Sequence, residues 1–267
     1  MKVLFLGDIV GRAGRNALQQ NLKHIQKKHE IDFTIINGEN AAGGFGITKE
    51  ICVDIYSYGA DVITTGNHLW DQKEIADYIG SDNRLLKPYN FPEGTPGAGY
   101  NIYKTPKNEN VLVINLIGNV FMKSDDNPFL KVEEILRKHS LSNELSFIFV
   151  DFHAEATSEK AAMGHHLDGR VTAVVGTHQH IPTADTRILL GGTAYQTDAG
   201  MCGDYNSIIG MNKEPILDRF LGIKSKVKFS PALGEATLCG VIVESDVKTG
   251  LAKKIEPIKF GGVLGTQ

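Results

Sequence analysis

The chain contains little cysteine: three residues among 267, Cys52, Cys202 and Cys239. Their odd number and the absence of a C-x-x-C spacing argue against a disulfide framework and against a thiolate zinc site, so we expect buried thiols. Long apolar runs are also missing. The opening MKVLFLGDIVGRAG reaches Asp8 and Arg12 after a short hydrophobic stretch, which is too short for a signal peptide or a membrane span. We therefore expect a cytoplasmic protein without a membrane partner.

An excess of charge of either sign is absent as well. The 28 basic and 31 acidic side chains give a formal net charge of -3, and no block of like charges forms a polybasic arm. Such a chain has no general electrostatic attraction to nucleic acid, so we expect no stable nucleic-acid complex, and any phosphate-bearing ligand must be held by a local site. The length and the 42% hydrophobic composition predict a single domain over residues 1–267.

Short apolar runs alternate with amphipathic segments along the chain. The runs KVLFLG, FTIIN and DVITTG are typical of strands, and residues 14–29, 48–59 and 71–80 are typical of helices. Further strands are predicted beyond residue 84, with helices near 128–139, from about 157 and near 214–221. This order indicates an α/β fold, a sandwich of two mixed β-sheets flanked by helices.

Polar side chains follow five of the apolar runs at the point where each run ends. They are Asp8, Glu39 with Asn40, Asn67 with His68, His153, and His178 with His180. Because ligands of α/β sheets bind outside the carboxyl ends of strands, we expect these ends to converge on one crevice. Carboxylate, amide and imidazole donors without thiolate suit a first-row divalent ion such as iron, manganese or zinc.

Seven of these side chains, all except His68, are more donors than one tetrahedral ion needs. Two ions that share a bridging carboxylate would use them all. Pairs of ions about 3.5–4 Å apart commonly serve phosphoester hydrolysis, because they bind the attacking and leaving oxygens together. The pattern predicts a binuclear metal-dependent hydrolase.

The same residues resemble the calcineurin-like metallophosphoesterases, whose motifs run D-x-H, G-D, G-N-H, H and G-H-x-H. The matching segments are GDIV, NGEN, GNH, DFH and GTHQH. Val10 stands where the superfamily has its first histidine, and Glu39 replaces its bridging aspartate. Both departures, with GDIVGRAGR, NGENAAGGFGIT, GNHLWD and GTHQHIPTAD, are typical of the YmdB-like branch, which the chain resembles over nearly its whole length.

The resemblance implies a two-sheet sandwich, two metal ions, usually iron or manganese, and hydrolysis of small phosphodiesters, 2',3'-cyclic AMP among them. It implies a first ion held by Asp8, Glu39, Asn40 and His180. It implies a second ion that shares Glu39 and is completed by Asn67, His153 and His178. A metal-bound hydroxide would attack phosphorus. His68, which is not needed as a ligand, would protonate the leaving ribose oxygen as a general acid.

Several residues keep two interpretations. Arg12 or Arg15 could bind phosphate or lie on the surface, and Asp198 and Asp204 could shape the cleft or form turns. The glycine-rich NAAGGFGIT could be a mobile rim or an irregular connection. Five other histidines fall on predicted helices or their ends and are excluded from the site: His24, His29, His139, His165 and His166.

Two other functions stay open at this point. A regulatory scaffold could retain the metals with weak or vestigial hydrolase activity. A metal-dependent amidase or carboxylic esterase is disfavoured, because H-E-x-x-H is missing and the G-N-H and G-T-H-x-H pair is present. The physiological substrate, the native metal and the oligomeric state are undetermined, although apolar strands in the last third could present an edge for a homo-oligomer.

Overall fold

The computed structural model describes residues 1–122, 126–141, 144–224 and 227–265. The strands are β1 (Lys2–Leu6), β2 (Phe33–Asn37), β3 (Val62–Thr64), β4 (Tyr100–Lys104), β5 (Asn110–Ile117), β6 (Phe147–His153), β7 (Ala173–Thr177), β8 (Arg187–Ile188), β9 (Ala194–Gln196), β10 (Gly203–Asp204), β11 (Ala236–Ser245) and β12 (Ala252–Phe260). The helices are α1 (Gly11–His29), α2 (Lys49–Tyr58), α3 (Ile75–Tyr78), α4 (Pro128–Leu136), α5 (Thr157–His166) and α6 (Lys213–Phe220). Within the described ranges, no helix combines the length and apolar character that crossing a membrane requires.

The strands form two mixed sheets. The first has the order β10-β11-β1-β2-β3, with β12 also paired to β11, and the second has the order β4-β5-β6-β7-β9-β8. Strands β1 to β3 are parallel in the first sheet, and β5, β6, β7 and β9 are parallel in the second. Antiparallel strands extend each parallel set, among them β11 beside β1 and β4 beside β5. The predicted α/β sandwich of two mixed sheets flanked by helices is confirmed.

Strand β1 shows how one strand serves two cores. Val3 and Phe5 belong to the core that both sheets share, and the Phe5 ring lies 4.7 Å from that of Phe149 between centroids. Leu4 and Leu6 belong to the core that the first sheet forms with α1 and α2. Successive side chains of a strand face opposite sides, so a strand covered on both faces needs an unbroken apolar run.

Helix α2 has the predicted boundaries. The Thr48 hydroxyl accepts the backbone N–H of Ile51 at 3.3 Å, which caps the first turn. Gly59 follows the last turn with φ of 121°, a backbone angle that L side chains rarely adopt. The sequence signals for this helix are local, and the structure agrees with them.

Two other predicted helices have wrong bounds. Helix α1 begins at Gly11 rather than at residue 14. Gly14 lies against the Cys202 carbonyl, whose oxygen would be 2.1 Å from an added Cβ. This glycine therefore allows the helix to pack closely against the Cys202 backbone and does not mark a turn before the helix. The predicted helix 71–80 is reduced to the four residues of α3. Short 3-10 turns flank it at Leu69–Asp71 and Ile79–Ser81. Gln72, inside the predicted helix, donates to the Phe45 carbonyl oxygen at 2.8 Å, which is a tertiary contact.

Replacing Phe149 with alanine tests the shared core. We expect Phe149→Ala to lower the free energy of unfolding by about 3–5 kcal/mol, because it removes a fully buried ring and leaves a cavity. The control Phe121→Ala truncates a ring that is 89% exposed and should cost less than about 0.5 kcal/mol. Chemical denaturation followed by circular dichroism measures both variants, and equal losses would contradict the packing between the sheets.

Candidate metal centre and cleft

Five strands deliver the predicted site residues to one edge of the sandwich. β1, β2 and β3 belong to the first sheet, and β6 and β7 to the second. The residues that end or follow these strands are Asp8, Glu39, Asn40, Asn67, His153, His178 and His180. The contacts described below bring all seven into one cluster. Both sheets therefore contribute to a single site.

Glu39 is fully buried at the centre of this cluster. Its Oε1 lies 3.1 Å from His153 Nε2 and accepts the Asn40 amide N–H at 3.0 Å. Its Oε2 accepts the backbone N–H of His68 at 3.2 Å. Two groups of mutually close ligand atoms include this carboxylate: Glu39 with His153 and His178, and Asp8 with Glu39 and His180. Glu39 thus belongs to both groups of residues that could hold a metal ion.

The amide side chains lie against the histidines of the cluster. Asn67 Oδ1 is 3.0 Å from His153 Nε2, and Asn40 Nδ2 is 3.2 Å from His180 Nε2. Asn67 therefore already presents an oxygen to the centre. Asn40 presents its nitrogen, and binding a cation through its oxygen requires the amide to rotate by half a turn.

A hydroxyl and a carboxylate behind His153 orient its ring. His153 Nδ1 is 2.9 Å from the Thr177 hydroxyl, which in turn donates to Asp151 Oδ1 at 2.7 Å. Because the Thr177 hydroxyl donates its proton to Asp151, its oxygen accepts the Nδ1–H of His153. The other ring nitrogen of His153, Nε2, then faces the cluster. Sequence reasoning missed both partners. Asp151 had a signal, since it precedes His153 by two residues on the same face of β6.

The other two ring systems have outer partners of the same kind. His180 Nδ1 is 2.8 Å from the Ile209 carbonyl oxygen, and His178 Nε2 is 3.0 Å from Glu155 Oε2. In each case the second ring nitrogen faces the cluster. Outer partners orient metal-binding histidines in the same way. The sequence analysis did not identify Glu155.

Buried charges in the cluster compensate one another. Burial acts to raise the pKa of Glu39, but the imidazoles, His153 foremost, outweigh it and lower that pKa to about 2. Burial acts to lower the pKa of His153, but Glu39 outweighs it and raises that pKa to about 9. Burial and the neighbouring charge of His153 lower the pKa of His178 to about 3. The opposite pKa shifts show that Glu39 and His153 stabilise each other's charged forms, and a bound metal ion would take the place of a proton at this centre.

Asp8 indicates whether the donor set fits a cation. Its Oδ2 accepts the backbone N–H of His178 at 3.2 Å, while its buried Oδ1 has no hydrogen-bond partner among the residues described. Burial raises the pKa of this carboxyl. A buried oxygen without a partner is costly, and a cation shared with Glu39 and His180 would satisfy it. Carboxylates and imidazoles without thiolate suit iron, manganese or zinc, so these residues fit a metal centre.

His68 lies beside the cluster and belongs to neither group of residues that could hold a metal ion. Its Nδ1 is 2.8 Å from Asp71 Oδ2, and its ring packs edge-on against Phe45 with centroids 5.1 Å apart. The contact with Asp71 holds the ring through Nδ1, and Nε2 lies outside this contact. The sequence analysis missed Asp71, although its position three residues after His68 in HLWD was a signal for this pair.

The turn between His178 and His180 has an unusual backbone that Asp198 supports. The two histidines have φ of 102° and 66°, values that L residues seldom adopt. Asp198 Oδ2 accepts the Gln179 backbone N–H at 3.0 Å and the Lys160 ammonium at 2.7 Å. Lys160 and Asp198 are both buried. Asp198 therefore supports the turn between His178 and His180, and Lys160 balances its charge. The sequence analysis missed Lys160.

Among the other residues with two interpretations, Asp204 and Arg15 make structural contacts. Asp204 accepts two backbone N–H groups at 2.8 and 3.0 Å, as a turn residue does. Arg15 donates to the backbone carbonyl of Ala41, and Arg12 is exposed. None of these three lines the cleft described next, and neither do the five excluded histidines.

A cleft of about 920 Å³ adjoins the ligand cluster. Glu39, His68, His178 and His180 are among its lining residues at the buried end. Its more exposed part is largely apolar and includes Phe45, from the glycine-rich segment, and residues of α6 and the following loop. The volume is in the range of small-molecule sites, roughly 300–1,000 Å³.

Comparisons with known proteins point to one family. A model of the YmdB-like protein family matches residues 4–258. The 2',3'-cyclic-nucleotide 2'-phosphodiesterase of Bacillus subtilis (strain 168) is 49% identical over 258 residues, which cover 97% of this chain and 96% of that protein. A crystal structure of a hypothetical protein from Thermus thermophilus has a TM-score of 0.90 at 37% identity, with coverages of 98% of this chain and 100% of the other. A phosphatase from Mycoplasma pneumoniae has a TM-score of 0.89 at 36% identity, with coverages of 98% and 93%.

Gly66 offers a test of the cluster that leaves every polar side chain in place. A Cβ at this position would lie 2.3 Å from Glu39 Oε2 and 2.4 Å from the His153 ring. We expect Gly66→Ala to force these side chains apart, to weaken Mn²⁺ binding and to cost about 1–3 kcal/mol of stability. The control Gly80→Ala would meet no described heavy atom within 4 Å and should leave both unchanged. Calorimetric titration and thermal unfolding measure these effects, and unaltered Mn²⁺ affinity in Gly66→Ala would contradict the geometry.

Proposed function

Because this chain belongs to the YmdB-like protein family, we propose that it is a metal-dependent phosphodiesterase that hydrolyses small phosphodiesters, 2',3'-cyclic nucleotides among them. The observation that carries the proposal is the buried carboxylate of Glu39, which two groups of ligand atoms share. The phosphodiesterase of Bacillus subtilis, at 49% identity over 97% of the chain, supports the substrate class. The chain is accordingly a phosphoric ester hydrolase.

The proposal includes a centre of two ions, iron or manganese, with zinc as a third candidate. One ion would be held by Asp8, Glu39, Asn40 and His180. The other would be held by Glu39, Asn67, His153 and His178. When bound, such a pair supplies Lewis-acid activation of the phosphoryl oxygens and of the attacking water. Since both sheets supply ligands to this centre, we also propose that the chain acts as a single domain.

His68 is proposed as the general acid. As water attacks phosphorus and the bond from phosphorus to the ribose oxygen breaks, that oxygen gains negative charge and needs a proton. His68 Nε2 would donate it, while Asp71, 2.8 Å from Nδ1, keeps the ring oriented and stabilises its cationic form. A positioned acid of this kind commonly contributes about 10²- to 10⁴-fold in rate.

Metal content and turnover together test the proposal. The wild type should hydrolyse 2',3'-cyclic AMP, lose this activity to a chelator and recover it with Mn²⁺ or Fe²⁺. Glu39→Ala should lose both ions and turnover, because it removes the shared ligand, whereas His153→Ala should empty mainly the second position. Elemental analysis and product chromatography provide the measurements. Two ions retained in Glu39→Ala would exclude the bridge, and full metal content without turnover in the wild type would favour a regulatory scaffold.

The role of His68 predicts a loss of rate that depends on the leaving group. His68→Ala should keep its metals, lose about 10²-fold or more on 2',3'-cyclic AMP and lose much less on bis-p-nitrophenyl phosphate, since nitrophenolate departs without a proton. His165→Ala, on the exposed face of α5, is the matched control and should keep both rates. Equal losses on the two substrates would assign His68 to positioning, and loss of metal would make it a ligand.

A further inference from the structure

The cleft continues beyond the residues that the proposed chemistry uses. Its outer part contains Phe45, Ile209, Phe220 and Phe229, together with Arg219, and we call these five residues the apolar shelf. The Phe220 side chain is 81% exposed and that of Phe229 is 40% exposed. Aromatic rings left open to solvent beside a reactive centre indicate a surface that receives a ligand.

The shelf presents flat rings and one planar cation. The Arg219 guanidinium lies over the Phe229 ring, 5.9 Å from its centroid. At the other end, Phe45 packs against His68, so the shelf begins at the proposed proton donor. Aromatic rings with a stacked arginine are the means by which proteins bind exposed nucleobases without reading their sequence.

We propose that the apolar shelf receives the nucleobase of the substrate by stacking. This inference rests on the phosphodiesterase function proposed above and concerns the part of the substrate outside the metal centre. A phosphate at the Glu39 end of the cleft carries its ribose, and the covalent connection brings the base into the outer cleft. Hydrophobic burial and ring stacking, rather than charge, then hold it there.

The chemistry of the shelf also sets a specificity rule. Four of its five side chains are aliphatic or aromatic and carry no group that could hydrogen-bond to a base edge, and the fifth, Arg219, lies over the ring of Phe229. The polar residues Thr157, Gln179 and Thr183 also line the cleft but are not part of the shelf. Affinity should therefore follow the stacking area of the base. Adenine and guanine should be accepted about equally, and both should be preferred over cytosine and uracil.

A substrate without a base separates the shelf from the metal centre. The four 2',3'-cyclic nucleotides are compared with glycerol 1,2-cyclic phosphate, which has the same five-membered cyclic diester. Phe229→Ala and Phe220→Ala should lower kcat/KM on the purine substrates by roughly 5- to 100-fold, the usual range for losing one base–aromatic stack. Both variants should leave the glycerol diester almost unaffected. Phe229→Trp should retain purine turnover, and Phe121→Ala, an exposed ring outside the cleft, should change nothing.

Equilibrium binding keeps this inference separate from the proposed function. Calorimetric titration of the Mn²⁺-loaded protein with adenosine 3'-monophosphate and with glycerol 2-phosphate measures what the ribose and base together add to affinity, and Phe229→Ala isolates the share of the stacked base. If no cyclic diester is hydrolysed, the proposed function fails, but tighter binding of the adenosine ligand that Phe229→Ala abolishes would still support the shelf. If the base adds no affinity, or if the variants lose equal activity on the nucleotide and glycerol substrates, the nucleobase subsite is overturned.

Discussion

The burial of Glu39 among imidazoles constrains the rest of the site. A carboxylate removed from water is stable only when cationic or hydrogen-bonding groups surround it, and here His153 and the amide of Asn40 lie about 3 Å away. The same requirement extends outward. His153 depends on Thr177 and Asp151, and the turn that carries His178 depends on the carboxylate of Asp198. A polar network of this kind needs rigid support on every side, which two packed sheets provide.

The sandwich supplies that support through strand direction. Parallel strands end at the same edge, so residues far apart in the chain, such as Asp8 and His180, arrive at one place without long loops. The shared core, where Phe5 meets Phe149, holds the two sheets together behind the cluster. Gly66 lies where any side chain would collide with the ligands. This explains why a glycine stands between the third strand and the pair Asn67 and His68.

The proposed function and the proposed nucleobase subsite place catalysis and recognition in different parts of the cleft. The buried end contains charged groups which, with metals bound, would act on a phosphodiester whatever group it carries. The exposed part offers apolar rings on α6 and the loop after it, which contribute no ligand to the cluster. Under these proposals, chemistry and substrate choice depend on different segments of the chain and could vary independently.

The sequence alone determined the α/β class, the order of the elements and the identities of the clustered residues, because strand periodicity and the polar residues at strand ends are local signals. It also determined the ends of α2, where Thr48 and Gly59 act on their own helix. Only the tertiary structure decided the role of Asp198, whose partners Gln179 and Lys160 lie elsewhere in the chain. It likewise decided that the helix predicted at residues 71–80 shrinks to α3, beside which the Gln72 side chain binds the distant Phe45 carbonyl oxygen. The aromatic lining of the cleft was equally invisible in the sequence, because Phe45 and Phe229 are separated by most of the chain and become neighbours of one cleft only when the two sheets pack.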